Sequence, residues 1–312
     1  MRSARSAQFV LCSATILLSV ACNKGPSFGP GGGAGGLRSV FEDNIANATQ
    51  QFQVDAASGG RVEGAKGVRV TFPPNAFHTV SGGVVSGNVE VSLVEVTDIA
   101  DMIMLNTTTV GNDNGTLALL KSGGALYVSA SQGTNELVLG PQGMNVTVPT
   151  PAIDTEMAVF TADRTQGEEL VWNAEDSTSI DSVIIETPNG WYWGYSFQAD
   201  SLQWINCDYF PYSSANTFIS AITPADVPND STIVWFVFPD LNAVTYTAPS
   251  APNMFGFGTV PVGLQAIAVG LTRSGSQYRS SFSSFTTTTN GSVGLSFQPT
   301  SLQAFETALD NL

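Results

Sequence analysis

The sequence predicts an all-β protein: two antiparallel β-sandwich-like domains with one C-terminal helix. Three observations predict it. Short apolar runs with period-2 alternation recur at roughly 8–12-residue spacing. Only 12% of the residues are charged, about half the usual share, and Ser, Thr, Asn and Gly fill the gap. Such a composition favours extended, turn-rich structure over helical bundles. Apolar residues make up 43% of the 312, enough for packed cores, and the length fits about two domains.

The first elements along the chain are addressing signals. Arg2 and Arg5 precede an apolar run from Phe9 to Val20, 12 residues long and too short to span a bilayer as a helix. It ends in Ser19-Val20-Ala21-Cys22. Small residues before a cysteine, directly after such a run, resemble the lipobox of bacterial lipoproteins. Leu18 stands one place earlier than that motif's usual leucine. The resemblance implies a signal peptide over 1–21 and acylation of Cys22. The alternative is an ordinary secretory signal cut after Ala21. Acyl chains on Cys22 would anchor the chain in a membrane at ~0.8 kcal/mol per buried CH₂. Asn23, where an Asp would retain a lipoprotein at the inner membrane, implies the outer membrane. The acids that usually follow a surface-exported cysteine are missing from Asn23-Lys24-Gly25, which leaves the face open. Residues 22–50 then read as a tether, since Gly25 to Gly36 is almost all Gly and Pro.

Residues 51–150 form the first predicted domain. Val68, Val70 and Phe72 share a strand face, and Pro73-Pro74-Asn75 stops it. Val89, Val91 and Leu93 alternate with Glu90 and Ser92; the apolar face switches at Val94 and Val96, which predicts a bulge. Asn112-Asp113-Asn114-Gly115 predicts a positive-φ turn. Gly123-Gly124, inside an apolar stretch, marks a turn or a kink. Leu137 to Leu139 and Val146 to Val148 finish the unit before Pro149-Thr150-Pro151.

Residues 151–312 form the second domain. Ile233 to Phe238 is apolar on both faces and predicts a doubly covered strand; Leu264 to Leu271 is another apolar strand. At the end, Thr300-Ser301-Leu302-Gln303 resembles a capping box. Leu302, Phe305, Leu309 and Leu312 recur at helical spacing, with Glu306 and Asp310 facing water.

Four segments resemble a known family. Val70-Thr71-Phe72-Pro73-Pro74-Asn75-Ala76-Phe77, followed by Gly87-Asn88-Val89-Glu90-Val91, is similar to the opening of ZU5-like β-sandwich domains. Leu119 to Val128, with its Ser122-Gly123-Gly124 centre, and Trp204-Ile205-Asn206-Cys207-Asp208-Tyr209-Phe210 resemble segments of Bacteroidota-type envelope lipoproteins. The family has no established activity, so no catalytic residues are implied.

Charge and cysteine arithmetic exclude several functions. A net charge of −15 speaks against nucleic-acid partners, which need clustered Lys and Arg. Cys12 leaves with the signal and Cys22 is acylated, so Cys207 has no disulfide partner. With His78 the single histidine, the usual zinc sites are excluded, as is any triad that does not use His78. Phe77-His78-Thr79 reads as a turn histidine without chemistry. No spacing singles out a pair of carboxylates for hydrolysis.

Two anomalies supply candidate sites. Trp191, Trp193, Tyr195 and Phe197 alternate along one strand face, with Trp204 close in sequence. Buried, this stripe is sandwich core; exposed, it is a stacking platform for sugar rings. Separately, no Lys, Arg or His occurs from Thr165 to Thr272, a stretch with eleven acids. Such acids suit either a solvated acidic surface or a Ca²⁺ site, although no D-x-[DN]-x-[DN]-G loop is present. Asp208, inside a family-like segment, is the acid to follow.

These readings lead to one functional expectation: a non-enzymatic binding or scaffolding module of the cell envelope, tied to the outer membrane through its lipid. The alternative is a surface carbohydrate-binding protein using Trp191, Trp193, Tyr195 and Trp204. Expected partners are the membrane and a glycan or envelope protein.

Overall fold

The computed structural model describes residues 37–162, 170–175, 178–187, 190–213 and 215–312. The lipobox-like segment, Cys22 and the glycine run to Gly36 lie outside the described residues.

The protein is all-β, as its alternation predicts. Four large sheets stack in order. The outermost, sheet I, contains Gly60–Glu63, Arg69–Phe72, Met144–Thr150, Gly190–Ala199 and Asp181–Thr187. It packs on sheet II, whose central strands are Asn88–Val96, Lys121–Gln132 and Trp204–Tyr209. Val70, Phe72, Val89, Leu93, Phe197 and Cys207 are among the side chains filling the space between them. The second sandwich pairs sheet III, centred on Thr232–Phe238 and Gln265–Ser274, with sheet IV, centred on Asn216–Ile222 and Met254–Pro261. Its core includes Val234, Phe236, Phe238, Phe255 and Ala268. Pairing is antiparallel throughout these central strands; Asn216–Ile222 also takes Ser292–Gly294 as a parallel neighbour.

The predicted domain boundary at 150/151 needs correction. Strands Ala158–Ala162 and Trp204–Tyr209 join sheet II, and Asp181–Thr187 and Gly190–Ala199 join sheet I. The first sandwich is therefore completed by residues from the second half, and the strands of sheets III and IV all come after Tyr209, although Val110 and Leu119 of the earlier hairpin already pack into the second core. Pro149-Thr150-Pro151 punctuates a strand, but a proline says nothing about which sheet the next strand enters.

A third core welds the sandwiches. Val94, Val96, Leu120, Ala125, Trp172 and Trp204 from sheet II and its connections face Trp235, Val237, Val269 and Leu271 from sheet III. This explains the face switch near Val94. The strand Asn88–Val96 keeps an unbroken register with both neighbours, so no bulge exists. Val89, Val91 and Leu93 enter one core, while Val94 and Val96 enter the other. Thr232–Phe238 behaves likewise, with Trp235 and Val237 on one side and Val234, Phe236 and Phe238 on the other. The Asn112 to Gly115 turn closes a hairpin, with Asn114 at φ 52° and Gly115 at φ 91°.

Among the described residues, three α-helices line the weld where the sequence predicted one. The C-terminal helix α3 spans Leu302–Leu309; the Ser301 hydroxyl accepts from Ala304 N–H, and Phe305 and Leu309 are buried. Helix α2, Ile99–Met104, is capped by Asp98 accepting from Asp101 N–H. Helix α1, Arg38–Ala48, falls in the stretch assigned to the tether. Leu37, Phe41 and Ile45 are buried, at i, i+4 and i+8 spacing, and Phe41 meets Trp235 edge-on at 6.2 Å. Among the described residues, no helix is long and apolar enough to cross a membrane.

One buried carboxylate ties the edge of the first sandwich together. Glu95 is 4% exposed and accepts from Val68 N–H, Lys66 N–H and the Gln50 amide at 2.8–2.9 Å. A Cβ on Gly64 would sit 2.3 Å from that carboxylate. Replacing Glu95→Ala strands these donors and is expected to cost about 1–3 kcal/mol. The denaturant midpoint measures it; an unchanged midpoint would remove the structural role.

Candidate functional site

The two lipoprotein-like segments lie side by side. Lys121–Gln132 pairs with Trp204–Tyr209, matching Trp204 with Tyr127 and Asp208 with Ser122, and the register shifts between Asn206 and Asp208. Gly123 and Gly124 sit at that shift, inside a strand, so they form the kink and not a turn. A Cβ on Gly123 would meet Cys207 O at 2.9 Å. Here Asn206 and Asp208 are both fully buried. The Asn206 amide donates to Asp208 Oδ2 and its Oδ1 accepts from Cys207 N–H at 2.8 Å. Asp208 Oδ1 has no aligned partner. Burial pushes the Asp208 carboxyl well above its usual value, against weaker pulls from Ser122, Gly123 and Asn206. Burial also raises the Cys207 thiol, with the Asp208 charge adding to it. A protonated thiol without access is a poor nucleophile. This knot is structural: Asn242, from the second sandwich, donates to Thr97 O and Ser122 O and so stitches it to the weld.

The aromatic stripe divides. Tyr195 and Phe197 are core, and Tyr195 Oη accepts from Asp154 N–H at 2.7 Å. Trp191 and Trp193 are 63% and 37% exposed, set edge-to-face at 5.7 Å, with exposed Ile184 opposite Trp193. Trp204 corrects the expectation of a contact residue. It is buried in the weld, 5.3 Å from Tyr127 and 6.5 Å from Trp172. Tyr195 is corrected in the same way. Trp204 and Tyr195 sit where two sheets cover the strand, whereas the Trp191 end is left uncovered by the opposing sheet.

A large concavity lies elsewhere, where the two sandwiches meet. A cleft of about 1010 Å³ runs between the Asn112–Asn114 turn and Glu156 on one side and Pro261, Val262 and Leu264 on the other. Tyr209, Phe210 and Tyr212 form its floor. Tyr212 N–H donates to Phe210 O at 2.8 Å, closing a tight turn around Pro211. That turn brings the rings to 5.8 Å with only 35° between their planes. Phe210 is anchored edge-on against Phe160 at 5.6 Å and packs on Gly111, where a Cβ would lie 2.9 Å from its ring. Tyr212 is 77% exposed. Desolvation, then the neighbouring Asp113, raise its phenol. Lys121 stands 5.4 Å from the Tyr209 ring and pairs with Asp154 at 2.9 Å. The sequence carried one signal for this site: an aromatic-Pro-aromatic run directly after a strand.

The acidic stretch does not converge. Glu168, Glu169 and Asp176 lie outside the described residues. Asp181, Glu186, Asp200, Asp226, Asp230 and Asp240 are exposed at scattered points, and Asp226 pairs with Arg279 at 2.7 Å. Among the described residues, no three His, Cys, Asp or Glu side chains are grouped to hold a metal ion, so the Ca²⁺ expectation gains no site there. His78 lies in the short strand Phe77–Thr79, with Nδ1 3.3 Å from Gly82 O.

No family model, curated protein or solved structure matches this chain.

Proposed function

We propose that the protein is a lipoprotein of the bacterial outer membrane, held by an acylated Cys22, whose folded body is a non-enzymatic binding or scaffolding module of the cell envelope. The observation that carries this reading is the open cleft at the joint of two sandwiches held together by a third, shared core. A joint packed on both sides holds its walls in fixed relation, which suits recognition without induced movement.

A second reading, carbohydrate capture on exposed aromatics, is favoured by the solvent-facing Trp191 and Trp193. Aromatic faces of this kind stack on apolar faces of sugar rings.

The anchor is tested in cells. Cys22→Ala is expected to move the protein from the membrane to the soluble fraction and to abolish palmitate labelling. Retention in the membrane with no label would sink the lipoprotein reading. Protease treatment of intact cells then reports the face. Residues 165–273 contain no internal tryptic site, so a broad-specificity protease is required. Digestion on whole cells places the body outside; survival until the outer membrane is broken places it in the periplasm.

A further inference from the structure

We infer that the cleft between the sandwiches is a binding site for an uncharged oligosaccharide, with Phe210 and Tyr212 as its stacking floor. The inference rests on the binding-module reading and gives it a ligand class.

Three features select that class. The floor is a pair of rings tilted by only 35°, one anchored and one 77% exposed, so a broad apolar face is presented to solvent. Pyranose rings carry such a face on their C–H side, and Tyr supplies apolar area at small entropic cost because it has few rotatable bonds. The wall is rich in side-chain amides: Asn112, Asn114 and Asn173. Each amide offers both donors and acceptors, which matches hydroxyl groups that also do both. The charge is one-sided. Among the described residues, Asp113 and Glu156 line the cleft and no Lys or Arg does; Lys121, beside the Tyr209 ring, is already paired with Asp154. An anionic ligand would meet net repulsion.

A basic peptide is the main competitor, because carboxylates and aromatic faces also attract cations. The hydrogen bonds argue against it. Asp113 Oδ1 already accepts from the Asn114 amide at 2.9 Å, and its carboxylate neighbours the Tyr212 phenol. That leaves Glu156 as the carboxylate without a side-chain hydrogen bond in the wall, against three amides. The amides are themselves held in place. Asn112 donates to Asn173 Oδ1 at 3.2 Å and accepts from Gly115 N–H at 2.8 Å. Preorganised polar groups of this kind lose little freedom on binding.

The test is calorimetric titration of the full-length protein in detergent. The probes are neutral α- and β-linked hexaoses, an oligogalacturonate and hexalysine. At least one neutral hexaose is expected to bind, with Tyr212→Ala weakening it tenfold or more and Trp191→Ala/Trp193→Ala leaving it unchanged. Tyr212 is exposed, so its loss does not endanger folding; an unchanged melting temperature checks this. Binding of hexalysine alone, or of no neutral oligosaccharide across a broad glycan array, overturns the ligand class. Glycan binding lost in the tryptophan double variant and kept in Tyr212→Ala overturns the site. Cross-linking to an envelope protein in cells, in the absence of any glycan binding, would leave the binding-module reading standing while this inference fails.

Discussion

Trp235→Ala is expected to destabilise the protein by about 3–5 kcal/mol, the usual cost of truncating a fully buried large aromatic. Trp235 has no exposed surface and occupies the weld. Phe41 of α1 touches its ring, so truncation opens a cavity between a helix and a sheet that cannot both collapse into it. The indole N–H has no hydrogen-bond partner. Trp235→Phe keeps most of the ring volume and deletes that orphaned donor, so its cost is expected to stay below about 1.5 kcal/mol. Urea unfolding followed by circular dichroism separates the two. Because Asn88–Val96 and Thr232–Phe238 each contribute side chains both to the weld and to a sandwich core, the unaltered protein is expected to unfold in one transition. Two well-separated transitions, or a Trp235→Ala cost under about 1 kcal/mol, would mean that the sandwiches are independent.

Asp208→Asn is expected to abolish a loss of stability that the parent shows as pH rises. Burial raises the folded carboxyl well above its usual value of 3.8, so the folded state binds a proton that the unfolded state has released. Stability from this group is full below the unfolded value and is lost as pH rises through the folded one. The Asn variant has nothing to ionise. It is expected to be flat across that window and more stable than the parent above it. Asp208→Ala is a different experiment, because it strands the Asn206 amide that donates to Oδ2 and is expected to cost about 1–3 kcal/mol at low pH. Urea midpoints taken from below to above the ordinary carboxylate range decide the matter. A parent that loses no stability relative to the Asn variant across that window would show that Asp208 ionises in the folded state without penalty.

Much of the fold was legible because sandwiches impose period-2 alternation wherever one face meets a core. The hairpin at Asn112 to Gly115 and the capped C-terminal helix were readable for local reasons, positive φ and a serine at the N-cap. Helix α1 was legible too, in Leu37, Phe41 and Ile45, but it abuts a glycine run whose composition pointed to a tether. Helix α2 has six residues, less than two turns, and leaves no periodic signal. The cleft was not legible. Its floor comes from the end of Trp204–Tyr209 and the linker after it, and its walls come from the Asn112 to Asn114 turn, the loop at Glu156 and the connection between Met254–Pro261 and Gln265–Ser274, all distant in sequence.

By itself the sequence determined the β class, the Asn112 to Gly115 turn and the net negative charge. These follow from local sterics and from counting charges. Tertiary structure alone decided three things: which strands complete which sandwich, which half of the aromatic stripe is covered, and where a cavity opens. Each depends on what packs across a face, and a strand carries the same alternating side chains whether or not a second sheet lies over it. Trp193 and Tyr195 are two residues apart on one face; only the reach of the opposing sheet leaves the first in water and the second in the core.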